Sequence, residues 1–399
     1  MTSVGAHSMG MRLSRVTEES LWALGSVKWT ETGPDRLGAG AAEMDFGVAP
    51  PVATALTEAI ETGLVGYLPT AVDARLREAC ATWQFEEYGW RVAPGDVRVL
   101  PDVLRALHVA IERFSRPMSP VIVPTPAYMP FLTIPRLLGR DVLEVPLREN
   151  GREGPSHDLD ALDDAFAAGG HLLVLCNPHN PTGRVLELDE LRAVATVVER
   201  HGGRVFADEI HAPITYMGHR HIPYASTSTQ AAEHTVTAVS ASKAWNLAGL
   251  KCAQMVLSND ADRERWAGLG RLDTDGASTL GVLAATAAYR HGRGWLDEVL
   301  VQLDENRHRL GRLVRALPGV RYSAPQGTFL GWLDFRRSGL PWHGLADFFD
   351  TRAGVSVVDG AACGRAGTGF VRLNFATAPS ILDRVAERMA DAMREANTP

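Results

Sequence analysis

Residues 236–251 read VTAVSASKAWNLAGLK. A short apolar run, Val236–Ser240, reads as a strand and delivers Ser240, Ser242 and Lys243 at its end, with Lys251 eight residues further on. A lysine beside two hydroxyls suits Schiff-base chemistry next to a phosphate, and Lys251 adds a point charge for that phosphate. A lone lysine after a strand is more often simply solvated, so the reading depends on its neighbours.

Two neighbours upstream have the same form. RVFADEIH (204–211) ends an apolar strand on Asp208, whose carboxylate can bind a metal, cap a helix or pair with a protonated ring nitrogen. LCNPHNPTG (175–183) follows a buried run with two Asn-Pro pairs and Pro-Thr-Gly, which force a non-helical turn and can aim the Asn180 amide into a cleft. All three motifs fall where an open parallel sheet binds ligands, beyond the carboxyl ends of its strands.

The wider pattern supports such a sheet. Apolar runs at Val97–Leu100, Pro120–Val123, Val142–Pro146, Leu172–Cys176, Val205–Ala207 and Ala253–Leu257 read as strands buried on both faces. Helical periodicity intervenes at Leu104–Arg113, Asp158–Phe166 and Leu188–Arg200, which predicts an α/β fold with a mostly parallel sheet. A long amphipathic helix, Trp295–Leu317, then leads into a mixed α+β region with strands at Arg321–Ser323, Phe329–Asp334, Val355–Val358 and Phe370–Phe375. The expected organisation is a segment 1–50 packing with the small domain, a large domain 51–290 and a small C-terminal domain 291–399. In FVRLNF (370–375), Arg372 and Asn374 share one strand face, and a guanidinium there suits bidentate recognition of a carboxylate.

Composition narrows the partners. The 399 residues are 45% hydrophobic and 22% charged with a formal net charge of −7, so no basic surplus exists to neutralise nucleic-acid phosphates or bind a membrane surface. Four scattered cysteines (Cys80, Cys176, Cys252 and Cys363) lack metal or disulfide spacing, which fits a reducing cytoplasm and no metal site. The opening MTSVGAHSMG has neither a basic nor an apolar signal region; it reads as a tag remnant or as preceding a start codon at Met9 or Met11. No apolar run approaches the roughly 20 residues of a membrane helix.

Taken in order, NPxNPTG, ADEI, SxSKxxNxxGLK and a late RLN resemble the fold-type-I pyridoxal-5′-phosphate (PLP) enzymes, which include the aspartate aminotransferases. The resemblance runs from Trp29 onward and implies a large PLP-binding domain with a smaller α+β domain. It implies that Lys243 carries the cofactor, Asp208 pairs with the pyridine nitrogen and Asn180 donates to the ring O3′. Tyr128, in TPAY, stacks on the ring. Ser240, Ser242, Lys251 and the backbone of Val103 and Leu104 hold the phosphate, and Arg372 grips the substrate carboxylate.

SVKW (26–29), EMDF (43–46), VGY (65–67), DEIH with His211, GHRHIPYAS (218–226), AAYRHGRGWLDE (287–298) and GTFLGWLD (327–334) resemble the cystathionine β-lyases of the MalY/PatB type. The HRH at 219–221 could hold a metal, but the resemblance places it in an ordinary loop. Tyr67 is similar to a tyrosine that reaches a neighbouring subunit's phosphate, implying a homodimer. Two departures stand out. Gly40–Glu43 replaces Trp-Val-Ala-Asp, although Ala42 keeps the backbone position near the substrate carboxylate; Pro101-Asp102-Val103-Leu104 replaces Pro-Gly-Val-Val. The implied reaction is β-elimination from an S-substituted cysteine, cystathionine-like or a larger conjugate, to thiol, keto acid and ammonia. An aminotransferase, a decarboxylating or deaminating enzyme on a cysteine conjugate, and a PLP-binding regulatory protein are the alternatives.

Overall fold

The structure, a computed structural model, describes residues 16–31, 33, 35–150 and 154–396. MTSVGAHSMG lies outside the described residues.

Seven strands form the principal sheet: β2 (Val97–Leu100), β3 (Val121–Thr125), β4 (Val142–Pro146), β5 (Leu172–Cys176), β6 (Arg204–Asp208), β7 (Thr235–Val239) and β8 (Ala253–Leu257), in the order β2-β8-β7-β6-β5-β3-β4. Every residue of β5 is buried, because helices cover both faces. The two-residue strand period splits its side chains. Leu172, Val174 and Cys176 enter the core that contains the Val103–Arg113 helix, whereas Leu173 and Leu175 enter the core under the Leu188–Arg200 helix.

Strand direction determines where a site can form. Pairings among β4, β3, β5, β6 and β7 are parallel. β8 runs antiparallel to both β7 and β2. The carboxyl ends of β2, β3, β5, β6 and β7 therefore share one edge of the sheet. The residues entering β8, Lys251 and Cys252, arrive at that same edge. This is an α/β fold with a mostly parallel sheet.

A second, antiparallel sheet has the order β12 (Val358–Asp359), β13 (Phe370–Asn374), β10 (Leu330–Asp334), β9 (Arg321–Tyr322). Beside it, β1 (Leu37–Gly38) pairs in parallel with β11 (Val355–Ser356). The run expected as one strand, Val355–Val358, is thus two strands in two sheets, with the crossing at Val357. The long helix spans Arg293–Val314, starting two residues earlier than expected. It begins after Gly292, where a Cβ would lie 2.4 Å from Trp245 Nε1, and that indole donates to the Gly292 carbonyl at 3.0 Å. Only glycine permits so close an approach.

Residues 37–45 contact this second body through the β1–β11 pairing and the Asp45 N–H, which donates to the Ala376 carbonyl at 3.0 Å. Lys28 and Asp45, both buried, form an ion pair at 2.8 Å, and Trp29 Nε1 donates to the other Asp45 oxygen at 3.0 Å. Satisfying both carboxylate oxygens offsets the desolvation that burying the pair costs. The stretch between Gly38 and Asp45 is carried across the edge of the large sheet.

Candidate active site

Lys243 emerges just after β7. Its Nζ donates to the Ala42 carbonyl at 3.0 Å. Burial, reinforced by the Arg372 cation, pulls its ammonium down to about 8 against the opposing pull of Glu43 and Asp208. An amine so placed is readily neutral, as a nucleophile or proton carrier must be.

Asp208 ends β6 and is buried. One oxygen accepts from Ile210 N–H at 3.0 Å, but burial dominates and raises the carboxyl to about 7. It has no ion-pair partner among the described residues. A buried carboxylate with this environment is suited to a cation that arrives with a ligand.

Asn180 and Arg372 come from different sheets. Arg372 Nη1 donates to Asn180 Oδ1 at 3.2 Å, and Nη2 donates to the Gly40 carbonyl at 3.2 Å. Because a guanidinium only donates, Asn180 must turn its oxygen to Arg372, which leaves its NH2 to donate to a ligand. The buried Nε of Arg372 has no hydrogen-bond partner among the described residues, and neither has Nδ1 of His211. Burial, with Lys243 and Arg372 nearby, lowers the His211 imidazole to about 3, so it is neutral at physiological pH.

A cavity of about 150 Å³ has Tyr128, Asn180, Asp208, His211, Ala42 and Lys243 in its wall, and Arg372 stands behind that wall, joined to it through Asn180. Tyr128 lies edge-on to Phe131 at 5.5 Å between ring centroids. At the opposite end the wall contains Val103, Leu104, Ser242 and Lys251. The Val103–Arg113 helix begins there, and its first-turn N–H groups face no preceding turn. Asp102 caps that helix: one oxygen accepts from Arg105 N–H at 2.8 Å, and the other meets Lys251 Nζ at 3.1 Å.

Not every expected residue faces this space. Ser240 Oγ donates to the Cys252 carbonyl at 2.7 Å and accepts from Ser242 N–H at 3.0 Å, so its hydroxyl braces the turn instead of lining the cavity. Tyr67 is 97% exposed and lines a separate surface cleft.

Two asparagines without an assigned role in the sequence reading organise the Gly40–Gly47 stretch. Asn374 Nδ2 donates to the carbonyls of Ala41 at 2.6 Å and Glu43 at 2.7 Å. Asn246 accepts from Met44 N–H and donates to the Met44 carbonyl, each at 2.9 Å. Both stand inside quoted motifs, RLN and SxSKxxN, so the available signal was their position in those strings.

The residues fit PLP. Asp208 suits the protonated pyridine, Lys243 the aldehyde carbon and Asn180 the ring oxygen; Lys251 and the helix N-terminus suit the phosphate. No cluster with metal-ligand character occurs among the described residues. Nor, among them, is any helix long and apolar enough to cross a membrane.

Comparison with known proteins gives the same direction. The model for aminotransferase class I and II matches residues 35–389. A cystathionine beta-lyase of Corynebacterium glutamicum is 37% identical, covering 92% of this chain and 96% of its own. A crystal structure from Corynebacterium diphtheriae, provisionally called a PLP-dependent beta-cystathionase, superposes with a TM-score of 0.90 at 38% identity, covering 95% of this chain and 98% of its own. Cystalysin from Treponema denticola, whose crystal structure contains PLP, gives 0.89 at 25% identity over 97% and 99% of the two chains.

Proposed function

The chain belongs to the aminotransferase class I and II family, and on that premise we propose that it is a PLP-dependent C–S β-lyase, cleaving an S-substituted cysteine to thiol, pyruvate and ammonia. The observation that carries the reading is the convergence of a buried, low-pKa Lys243 amine and a buried Asp208 carboxyl on one cavity, with the Arg372 guanidinium directly behind its wall, bonded to the lining residue Asn180. The similarity to cystathionine beta-lyase over nearly the whole length supports elimination over its rivals.

When bound, PLP supplies an electron-accepting ring next to the substrate Cα. Arg372, fixed by Asn180 and the Gly40 carbonyl, binds the substrate carboxylate and sets the orientation of Cα. Lys243 Nζ, in its neutral form, takes the proton from Cα. Asp208 would hold the protonated ring nitrogen, and Asn180 would donate its NH2 to the ring oxygen. Tyr128, in the cavity wall, would pack against the ring. His211, neutral and buried, places a polar ring atom beside Lys243 and Arg372 without adding a third positive charge. The thiolate leaves from Cβ because it is a stable anion. We assign the working enzyme as a homodimer in which Tyr67 of each subunit reaches the other's phosphate site.

Aminotransfer would use the same groups, with Lys243 as the proton carrier. The two reactions differ in what they require. Elimination needs no amino-group acceptor, whereas transamination without one stops after a single turnover. The test is an S-alkyl cysteine supplied without any keto-acid acceptor, with free thiol and keto acid both measured over many turnovers. Sustained, equimolar release is expected; arrest after one equivalent, with loss of the cofactor's yellow absorbance, would make the protein an aminotransferase.

A further inference from the structure

Asp102 does more than a helix cap requires. Its Oδ1 accepts from Arg105 N–H at 2.8 Å, which is the capping bond. Its Oδ2 makes a second contact, 3.1 Å from Lys251 Nζ. An uncharged Ser, Thr or Asn caps as well, so the negative charge is surplus to capping. That charge falls where Lys251 and the first turn of the Val103–Arg113 helix converge on the cavity wall. Lys251 is itself held in place: its backbone is left-handed at φ 52°, and its carbonyl accepts from Ser278 N–H at 3.0 Å.

We propose that Asp102 is a resident anion of the phosphate site, holding Lys251 until the cofactor's phosphate replaces it there, so that the phosphate is bound more weakly than it would be without this charge. The proposal rests on the PLP reading above. Phosphate and carboxylate compete for one ammonium, and a phosphate dianion that takes Lys251 must still sit beside the displaced carboxylate. Both side chains are partly exposed, 58% for Lys251 and 37% for Asp102, so water and salt screen the repulsion. At that exposure a single neighbouring like charge weakens binding by about tenfold and not by many orders of magnitude.

Asp102→Asn isolates the charge, because asparagine keeps the cap and the side-chain shape. Asp102→Ser, also a good cap, removes both the charge and the reach to Lys251. The cofactor-free forms of wild type and both variants are titrated with PLP and, separately, with pyridoxal, which has the same ring and aldehyde but no phosphate. Binding is read from the absorbance of the attached chromophore. Both variants are expected to lower the PLP dissociation constant about tenfold and to leave that of pyridoxal unchanged, with the PLP difference shrinking at high salt. Equal PLP affinity in wild type and variants overturns the proposal, as does a variant effect of the same size on pyridoxal. If the wild type binds neither compound, the cofactor assignment falls and this inference falls with it. Binding of both compounds without a variant effect removes only the role given to Asp102.

Discussion

Arg372 Nη1 donates to Asn180 Oδ1 at 3.2 Å, joining β13 of the smaller sheet to the turn that follows β5 of the larger one. The two residues stand 192 positions apart. The contact fixes the guanidinium relative to the cavity and at the same time assigns the orientation of the asparagine amide. Arg372→Lys keeps a positive charge but loses the planar fork and one of its two anchors. The KM for an amino-acid substrate is expected to rise about a hundredfold, as losing a buried charge-assisted pair of bonds costs about 3 kcal/mol. The cofactor absorbance should be unaltered. Steady-state kinetics with an unchanged KM would remove Arg372 from carboxylate binding.

Lys243→Ala removes the amine that the Ala42 carbonyl positions. Turnover and the yellow cofactor absorbance are both expected to disappear. Borohydride treatment of the wild type followed by peptide mapping should label the peptide containing residue 243. Labelling of any other lysine in the variant would displace the assignment.

Asp208 gives a pH dependence whose sign can be worked out. Its carboxyl is raised from 3.8 to about 7 by burial, so between those values the folded protein binds a proton that the unfolded chain has released. Stability of the cofactor-free protein therefore falls as pH rises through this window. Asp208→Asn removes the effect and keeps the acceptor for Ile210 N–H. Lys243 titrates in both proteins, so its contribution largely cancels in the comparison. Thermal melts of cofactor-free wild type and variant should nearly coincide at pH 4. By pH 8 the variant should be more stable by roughly 2–4 kcal/mol. Its turnover with PLP should nonetheless fall by orders of magnitude, because the ring nitrogen loses its counter-charge. Parallel melting curves across the whole range would show that Asp208 is not desolvated as the fold implies.

Tyr67 is 97% exposed in the single chain, an unusual position for a tyrosine with a chemical role unless another surface covers it. Sedimentation at working concentration should give twice the 43.2 kDa chain mass. Tyr67→Phe should weaken PLP binding by up to about tenfold without dissociating the dimer, the worth of one hydrogen bond to a charged group. A fully active monomer refutes the shared site.

Much of the large sheet was legible because its strands are continuous apolar runs between breakers. The bounds of β4, β5 and β8 match the sequence reading residue for residue. The pairing of β1 with β11 was not legible, since two paired residues on each side leave no periodicity. Lys243 and Asp208 could be read from motifs because they stand at strand ends. Ser240 could not be distinguished from Ser242 in this way: one hydroxyl bonds the Cys252 carbonyl while the other residue lines the cavity, a difference made by the turn. The work of Asn374 and Asn246 was hidden because their partners, residues 41–44, lie more than 200 positions away.

Gly40 connects sequence departure to specificity. Its carbonyl accepts from Arg372 Nη2 at 3.2 Å, so it borders the guanidinium proposed to bind the substrate carboxylate. Two residues earlier, a Cβ on Gly38 would lie 2.0 Å from the Lys28 carbonyl oxygen, and no side chain can be accommodated there. At Gly40 the nearest atom to an added Cβ is Ser356 Oγ at 3.5 Å, which is ordinary van der Waals contact. A Cβ at position 40 therefore meets no forbidden contact, unlike one at Gly38. Gly40→Trp should fold and bind PLP normally while occupying space beside that guanidinium. The kcat/KM for a bulky S-conjugate of cysteine should then fall at least about tenfold further than that for a short S-alkyl cysteine, the discrimination a few methylenes' worth of pocket provides. The measurement is the ratio of the two kcat/KM values in wild type and variant. An unchanged ratio would mean that the thioether substituent extends elsewhere, and that the glycine has no part in choosing the substrate.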